Sequence, residues 1–146
     1  MEGKQKNLIE PISFTDSKRY HEKLFVNGKR LPDPYYQVTE WKKDLSCLPF
    51  VTFPDIFVYC VLRTGMYGAD EMKAYRSLEA FNYFESGFVQ ELLTHKVQEG
   101  AKTVMFVKAS VLPSQRVGQK AQPYVAWALC EASGTILTGH CTCMAG

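Results

Sequence analysis

After Gly87 the apolar positions of the chain fall into four short segments rich in β-branched and aromatic residues, with turn-forming residues between them. Runs of this length and composition are typical of β-strands. Because consecutive strands joined by short turns pair with their neighbours, the pattern predicts a mostly antiparallel sheet. The polar, glycine-containing segment 113–123 is predicted to be a mobile loop. The four predicted strands are Phe88–Leu93, Thr103–Val111, Tyr124–Cys130 and Thr135–Cys141.

Two helices are predicted before the sheet. Thr52 and Asp55 have the spacing of a capping box, in which each side chain satisfies a free amide of the first turn, and Gly65 marks the end of this helix. A second helix is predicted to begin near Asp70 and to end before Gly87. Its aromatic and leucine side chains recur at spacings of three, so we expect this stripe to be part of the core. The stripe consists of Tyr75, Leu78, Phe81 and Phe84.

The first part of the chain is polar and lacks sustained periodicity. Residues 1–34 are predicted to form an extended N-terminal arm, with turn formers at Asn27-Gly28 and one short helix near Asp16–Leu24. Residues 35–146 are predicted to form an α+β domain, in which the arm and two helices pack on a four-stranded, mostly antiparallel sheet.

Composition limits the class of protein further. The chain has 146 residues, of which 46% are hydrophobic and 22% charged, as in one globular domain and unlike a disordered chain or a coiled coil. No apolar run approaches the roughly 18 residues of a membrane span, and no apolar segment follows the basic N-terminus to make a secretion signal. Five cysteines, an odd number, indicate a reducing compartment with thiols or metal ligands in preference to disulfides.

The distribution of charge gives a candidate contact surface. The net charge is +2, but the segment Ala101–Cys130 contains four bases and no acid. A solvated loop and strand face accounts for this segment as well as phosphate binding does. If it binds nucleic acid, we expect the phosphate contacts to come from Lys108, Arg116 and Lys120.

The end of the chain carries the candidate chemistry. Residues two apart in a strand point to the same side, so Cys141 and Cys143 present two sulfurs toward one point, as a tetrahedral zinc site requires. A pair of core thiols gives the same spacing. His140 is expected to point to the other side of the strand, whereas Cys130, across the Ser133-Gly134 turn, is close enough in sequence to approach the pair.

These residues resemble the first half of a SWIM-type zinc finger, whose pattern is C-x-C followed by C-x-H. A wider run is similar to metazoan proteins that join such a finger to a YqaJ-type viral recombinase (exonuclease) domain, over roughly residues 33–146. The resemblance implies zinc bound through Cys141 and Cys143, a finger left incomplete because no C-x-H follows, and a nuclear or otherwise intracellular role in binding DNA or protein. The matching segments are Leu48–Ile56, Tyr75–Phe81, Ser86–Val89, Val111–Arg116, Pro123–Trp127 and His140–Gly146.

No enzyme site is predicted within the chain. A YqaJ-type nuclease needs a carboxylate cluster for Mg²⁺, and the acids here are scattered. A nucleophilic Cys47 or Cys60 paired with His95 has nothing in the sequence to favour it. We therefore expect a non-catalytic zinc-binding module that binds nucleic acid or protein. Of the nucleic acids, we expect DNA. The alternatives are an accessory DNA-positioning domain of a larger YqaJ-type exonuclease and a pure protein-interaction domain, with a groove formed by Tyr35, Tyr36 and Trp41.

Overall fold

The computed structural model describes residues 14–65, 68–73, 79–113 and 123–142. The chain divides into two compact units, Met1–Leu31 and Pro32–Gly146, and each is described by itself.

The first unit contains a helix followed by a small hairpin. Helix α1 covers Phe14–Lys23, and strands β1 (Phe25–Val26) and β2 (Lys29–Arg30) pair antiparallel. Asn27 and Gly28 form the two-residue loop with φ values of 50° and 77°, the left-handed conformation that an Asn-Gly hairpin turn requires. The short helix predicted near Asp16–Leu24 is confirmed. The hairpin was not predicted.

The sheet of the second unit has the predicted topology. Its order follows the chain, β3-β4-β5-β6, and every neighbouring pair is antiparallel. The α+β prediction with a four-stranded antiparallel sheet is therefore confirmed. Strand β3 runs six residues further than predicted, so that the turn into β4 is the pair Gly100-Ala101. The strands are β3 (Val89–Glu99), β4 (Lys102–Val111), β5 (Tyr124–Glu131) and β6 (Ile136–Cys141).

The first predicted helix begins and ends where its caps place it. Helix α2 covers Phe53–Phe57, and both the backbone N–H and the hydroxyl of Thr52 donate to the Asp55 carboxylate at 2.9 Å. The helix continues as a π-helix over Val58–Arg63 and ends at Gly65, which has a φ of 64°. The capping-box prediction is confirmed, whereas the wider π-helical turn was not predicted.

The second predicted helix appears as α3 (Ala69–Lys73) and α4 (Glu79–Glu85), with residues 74–78 between them outside the described ranges. Tyr75 and Leu78 therefore lie outside the described residues. Phe81 is half-buried, but Phe84 is 66% exposed, so the core prediction is wrong for Phe84. Periodicity places residues on one face of a helix, but it does not tell whether anything packs beneath the last turn.

Both faces of the sheet are buried at its centre. On one side, here called the aromatic face, Phe106 and Leu129 have no exposed surface and Trp127 is 3% exposed. On the other, here called the thiol face, Met105 and its cross-strand partner Cys130 are equally buried. Because directly opposed residues of an antiparallel pair share a face, the register also places Lys108, His95 and His140 on the aromatic face and Cys141 on the thiol face.

Candidate functional site

The end of β6 carries the candidate zinc ligand. Cys141 lies opposite Ala126 of β5, and the ladder continues one residue further, because the Thr142 N–H donates to the Val125 carbonyl and the Thr142 hydroxyl accepts from the Val125 N–H, both at 3.0 Å. Ala126 and Gly139, the neighbours of Cys141 on the same face, have small side chains. Cys143 lies outside the described residues.

His140 points to the opposite face from Cys141, as expected. Its Nδ1 is 2.9 Å from the Tyr35 hydroxyl, and that hydroxyl is 3.1 Å from the Val125 carbonyl. The rings of Tyr35 and Trp127 both lie against the imidazole, with centroid distances of 5.7 Å and 6.5 Å. His140 is therefore held in a polar and aromatic cluster on the aromatic face, away from the Cys141 sulfur.

The structure rules out Cys130 as a partner of Cys141. Cys130 pairs with Ile136, whereas Cys141 pairs with Ala126, four residues away along β5. At about 3.3 Å per residue this separates the two cysteines by about 13 Å, too far to share a zinc ion. Burial, with a smaller contribution from Asp55, raises the pKa of Cys130 to about 11, so this cysteine is a protonated core thiol. The hypothesis that Cys130 approaches Cys141 is wrong because Cys130 lies beside the β5–β6 turn, whereas Cys141 lies at the far end of the same pair of strands.

Of the predicted phosphate contacts, Lys108 is the one that the structure describes. Its Nζ lies 4.1 Å from the centroid of the Trp41 ring and 3.5 Å from the Pro34 carbonyl oxygen. Burial lowers the pKa of this ammonium group, and the cation–π contact offsets part of the cost of removing the charge from water. Arg116 and Lys120 lie outside the described residues.

The aromatic residues expected to form a partner groove are mostly engaged within the domain. Tyr35 is hydrogen-bonded to the β5–β6 pair, and Trp41 is half-buried, with its indole N–H donating to the Val38 carbonyl at 3.2 Å. Tyr36 is 63% exposed. A groove formed by these three rings stays a prediction, and Tyr36 is the most exposed of them.

Sequence reasoning missed a small cavity at the outer edge of β3. Its volume is about 130 Å³. Lys42 and Thr94 exchange two backbone hydrogen bonds, of 2.9 Å and 2.8 Å, which join the segment before α2 to the sheet edge. No periodicity or residue spacing in the sequence connects the two segments, because they are far apart along the chain. The lining residues are Glu40, Lys42, Cys47, Thr94, His95 and Lys96.

Within the described ranges, no three side chains of His, Cys, Asp or Glu gather closely enough to hold a metal ion. Because Cys143 is outside those ranges, zinc binding by Cys141 and Cys143 stays a prediction.

No helix in the part of the chain that the structure describes is long and apolar enough to cross a membrane. No family model, curated protein or solved structure matches the chain.

Proposed function

We propose that this chain is a non-catalytic zinc-binding module that binds nucleic acid or protein, and that the preferred nucleic acid is DNA. Cys141 and Cys143 supply the C-x-C half of a SWIM-type finger. The observation that carries the proposal is the geometry of β6. The strand stays paired through Thr142, with Cys141 on the thiol face beside Ala126 and Gly139. We propose that Cys143 follows the alternation of the strand and presents its thiol on the same side as Cys141.

The position of His140 supports the same proposal. A histidine next to a thiolate ligand is itself a candidate ligand, but the His140 Nδ1 meets the Tyr35 hydroxyl on the other face of the sheet. The rings of Tyr35, Trp127 and His140 pack together on the aromatic face of the sheet, opposite the face on which Cys141 lies. These contacts hold His140, the residue next to Cys141 in β6, by packing and by a hydrogen bond.

The metal proposal is tested with Co²⁺, whose thiolate charge-transfer absorption reports bound cysteines. We expect the chain to show this absorption with two thiolates per ion, and Zn²⁺ to displace the cobalt. Cys141→Ser and Cys143→Ser should each remove most of the absorption, because half of the thiolate pair is lost.

Cys60→Ser is the matched control, since Cys60 is another half-buried thiol in the same unit. It should leave the cobalt spectrum unchanged. Absorption that persists in a chain with both Cys141 and Cys143 replaced would refute the proposed ligands.

The nucleic-acid part of the proposal is tested by the salt dependence of binding to a labelled DNA duplex. Arg116→Gln with Lys120→Gln should lower the slope of log K against log salt by about 1.8, because each phosphate contact contributes about 0.9. Lys29→Gln, an exposed lysine of the first unit, is the control and should leave the slope unchanged. A wild-type affinity that does not change with salt would contradict phosphate binding. A phosphate contact by Lys108 would require its contact with Trp41 to open.

A further inference from the structure

The helical segment that follows Thr52 is apolar over most of its surface, yet none of it is buried. Helix α2 and the π-helix that continues it cover Phe53–Arg63, and eight of these eleven residues are hydrophobic. Neither helix contains a buried residue. A helix that is hydrophobic on all sides is typical of the interior of a protein. This segment therefore has the composition of a buried helix but lies at the surface of its unit.

Six large apolar side chains in and before this segment are exposed, and they are here called the apolar face. They are Phe50, Val51, Phe53, Ile56, Val58 and Leu62. Phe50 is 76% exposed and Leu62 is 70% exposed. Val58 and Leu62 are four residues apart in the helix, so they are neighbours on one side of it. No member of the set is more than four residues from the next, which makes the apolar face one continuous part of the chain.

The exposed area of the apolar face matches what a stable dimer needs. The six residues are about half exposed on average, so at roughly 200 Å² for a large residue they present about 600 Å² to solvent. Each partner in a standard protein–protein interface buries about 800 Å², of which somewhat more than half is apolar. The apolar face alone therefore supplies the apolar part of one side of such an interface. Exposed apolar surface of this extent marks an interaction site on a soluble protein.

The charges near the apolar face are engaged within the chain. Asp55 is the one charged residue between Leu45 and Leu62, and its carboxylate accepts both hydrogen bonds from Thr52. At the end of the helix, the Arg63 guanidinium donates to the Ile136 carbonyl at 2.7 Å. A charged partner would therefore find no opposite charge to select it. An uncharged apolar surface is complementary to a copy of itself, and in a two-fold dimer the same surface of both copies meets.

We propose that two copies of this chain associate through their apolar faces, with α2 and its π-helical continuation packed against the same elements of the second copy about a two-fold axis. Removal of the two apolar faces from water drives the association. Leu62, the most exposed apolar residue of the helix, becomes buried against the second copy. Because the contact is apolar, its strength depends little on salt, unlike the proposed contacts with DNA phosphates.

The test is sedimentation of the full chain over a range of concentrations. One copy has a mass of 16.6 kDa, and we expect the mass of two copies at about 50 µM, the range in which a standard interface is occupied. Leu62→Glu should raise the dissociation constant of the dimer about 100-fold or more, because two-fold symmetry places the buried charge in the interface twice. The wild-type dissociation constant should change less than about twofold between low and high salt.

Phe84→Glu is the matched control, because Phe84 is 66% exposed but lies in α4, outside the apolar face. It should leave the dimer as in the wild type. A urea titration should show that both variants are folded, since each replaces an exposed side chain. A wild-type chain that stays monomeric at about 200 µM would overturn the proposal and leave the apolar face to a different partner. A Leu62→Glu chain that associates as tightly as Phe84→Glu would also overturn it. Neither result bears on the Co²⁺ absorption of Cys141 and Cys143.

Discussion

Replacing Gly134 by alanine is expected to lower the free energy of unfolding by about 4 kcal/mol, a large part of the roughly 5–15 kcal/mol that holds a typical domain folded. A Cβ at this position would lie 1.9 Å from the Phe50 carbonyl oxygen and 2.8 Å from the Asp55 carboxylate. Gly134 also has a φ of 107°, a backbone conformation that residues with a side chain rarely adopt. Both the clash and the backbone strain oppose the substitution.

Gly100→Ala separates the two contributions. Gly100 has a φ of 57° in the β3–β4 turn, but a Cβ there would meet nothing within 4 Å. We expect this variant to lose only about 1 kcal/mol in a urea titration, from backbone strain alone. Equal losses in the two variants would show that Phe50 does not pack against the β5–β6 turn.

This contact matters because it ties the helix to the strands that carry the candidate site. The Phe50 N–H donates to the Ala132 carbonyl at 3.3 Å, and Arg63 donates to the Ile136 carbonyl at 2.7 Å. Asp55 both caps α2 and faces Gly134. The capping box, the turn and the start of β6 are therefore one connected arrangement, and a side chain at Gly134 would push them apart.

Most of the fold could be predicted because its signals are local. The capping box at Thr52 and Asp55, the Asn27-Gly28 turn and the β-branched runs each depend on a few neighbouring residues. The continuation of β3 through Glu99 depends on its pairing with β4, for example His95 with Phe106. The polar residues in that stretch give no local signal for a strand, so their pairing with the apolar strand β4 decides that β3 continues.

The candidate site was predicted less completely because it depends on register and on distant contacts. The exclusion of Cys130 follows from the pairing of β5 with β6, which places Cys130 opposite Ile136 and Cys141 opposite Ala126. The cavity that Cys47 and His95 both line depends on the bridge from Lys42 to Thr94. For Lys108 a signal was present, because strand alternation places it on the side of Phe106. The charge pattern alone does not show on which face of the strand a lysine lies.

Replacing Trp127 by alanine is expected to cost about 3–5 kcal/mol of stability and also to weaken the metal binding that we propose at the end of β6. The Trp127 ring is 3% exposed and packs edge-on against Phe106 at a centroid distance of 5.5 Å. It also lies against Tyr35 and His140, the residues that brace β6 from the aromatic face. Removing the ring leaves a cavity behind the strand that presents Cys141.

Leu129→Ala is the matched control, because Leu129 is two residues away on the same face and has no exposed surface. The Leu129→Ala substitution should lower the free energy of unfolding by about 2–5 kcal/mol. Leu129 pairs with Thr138, however, and therefore lies further from Cys141 than Trp127 does. Under conditions where both variants are folded, we therefore expect Co²⁺ affinity to fall more in Trp127→Ala than in Leu129→Ala. Equal losses of affinity would mean that the aromatic cluster stabilises the domain without positioning the thiols, and the bracing role of Trp127 and His140 would have to be abandoned.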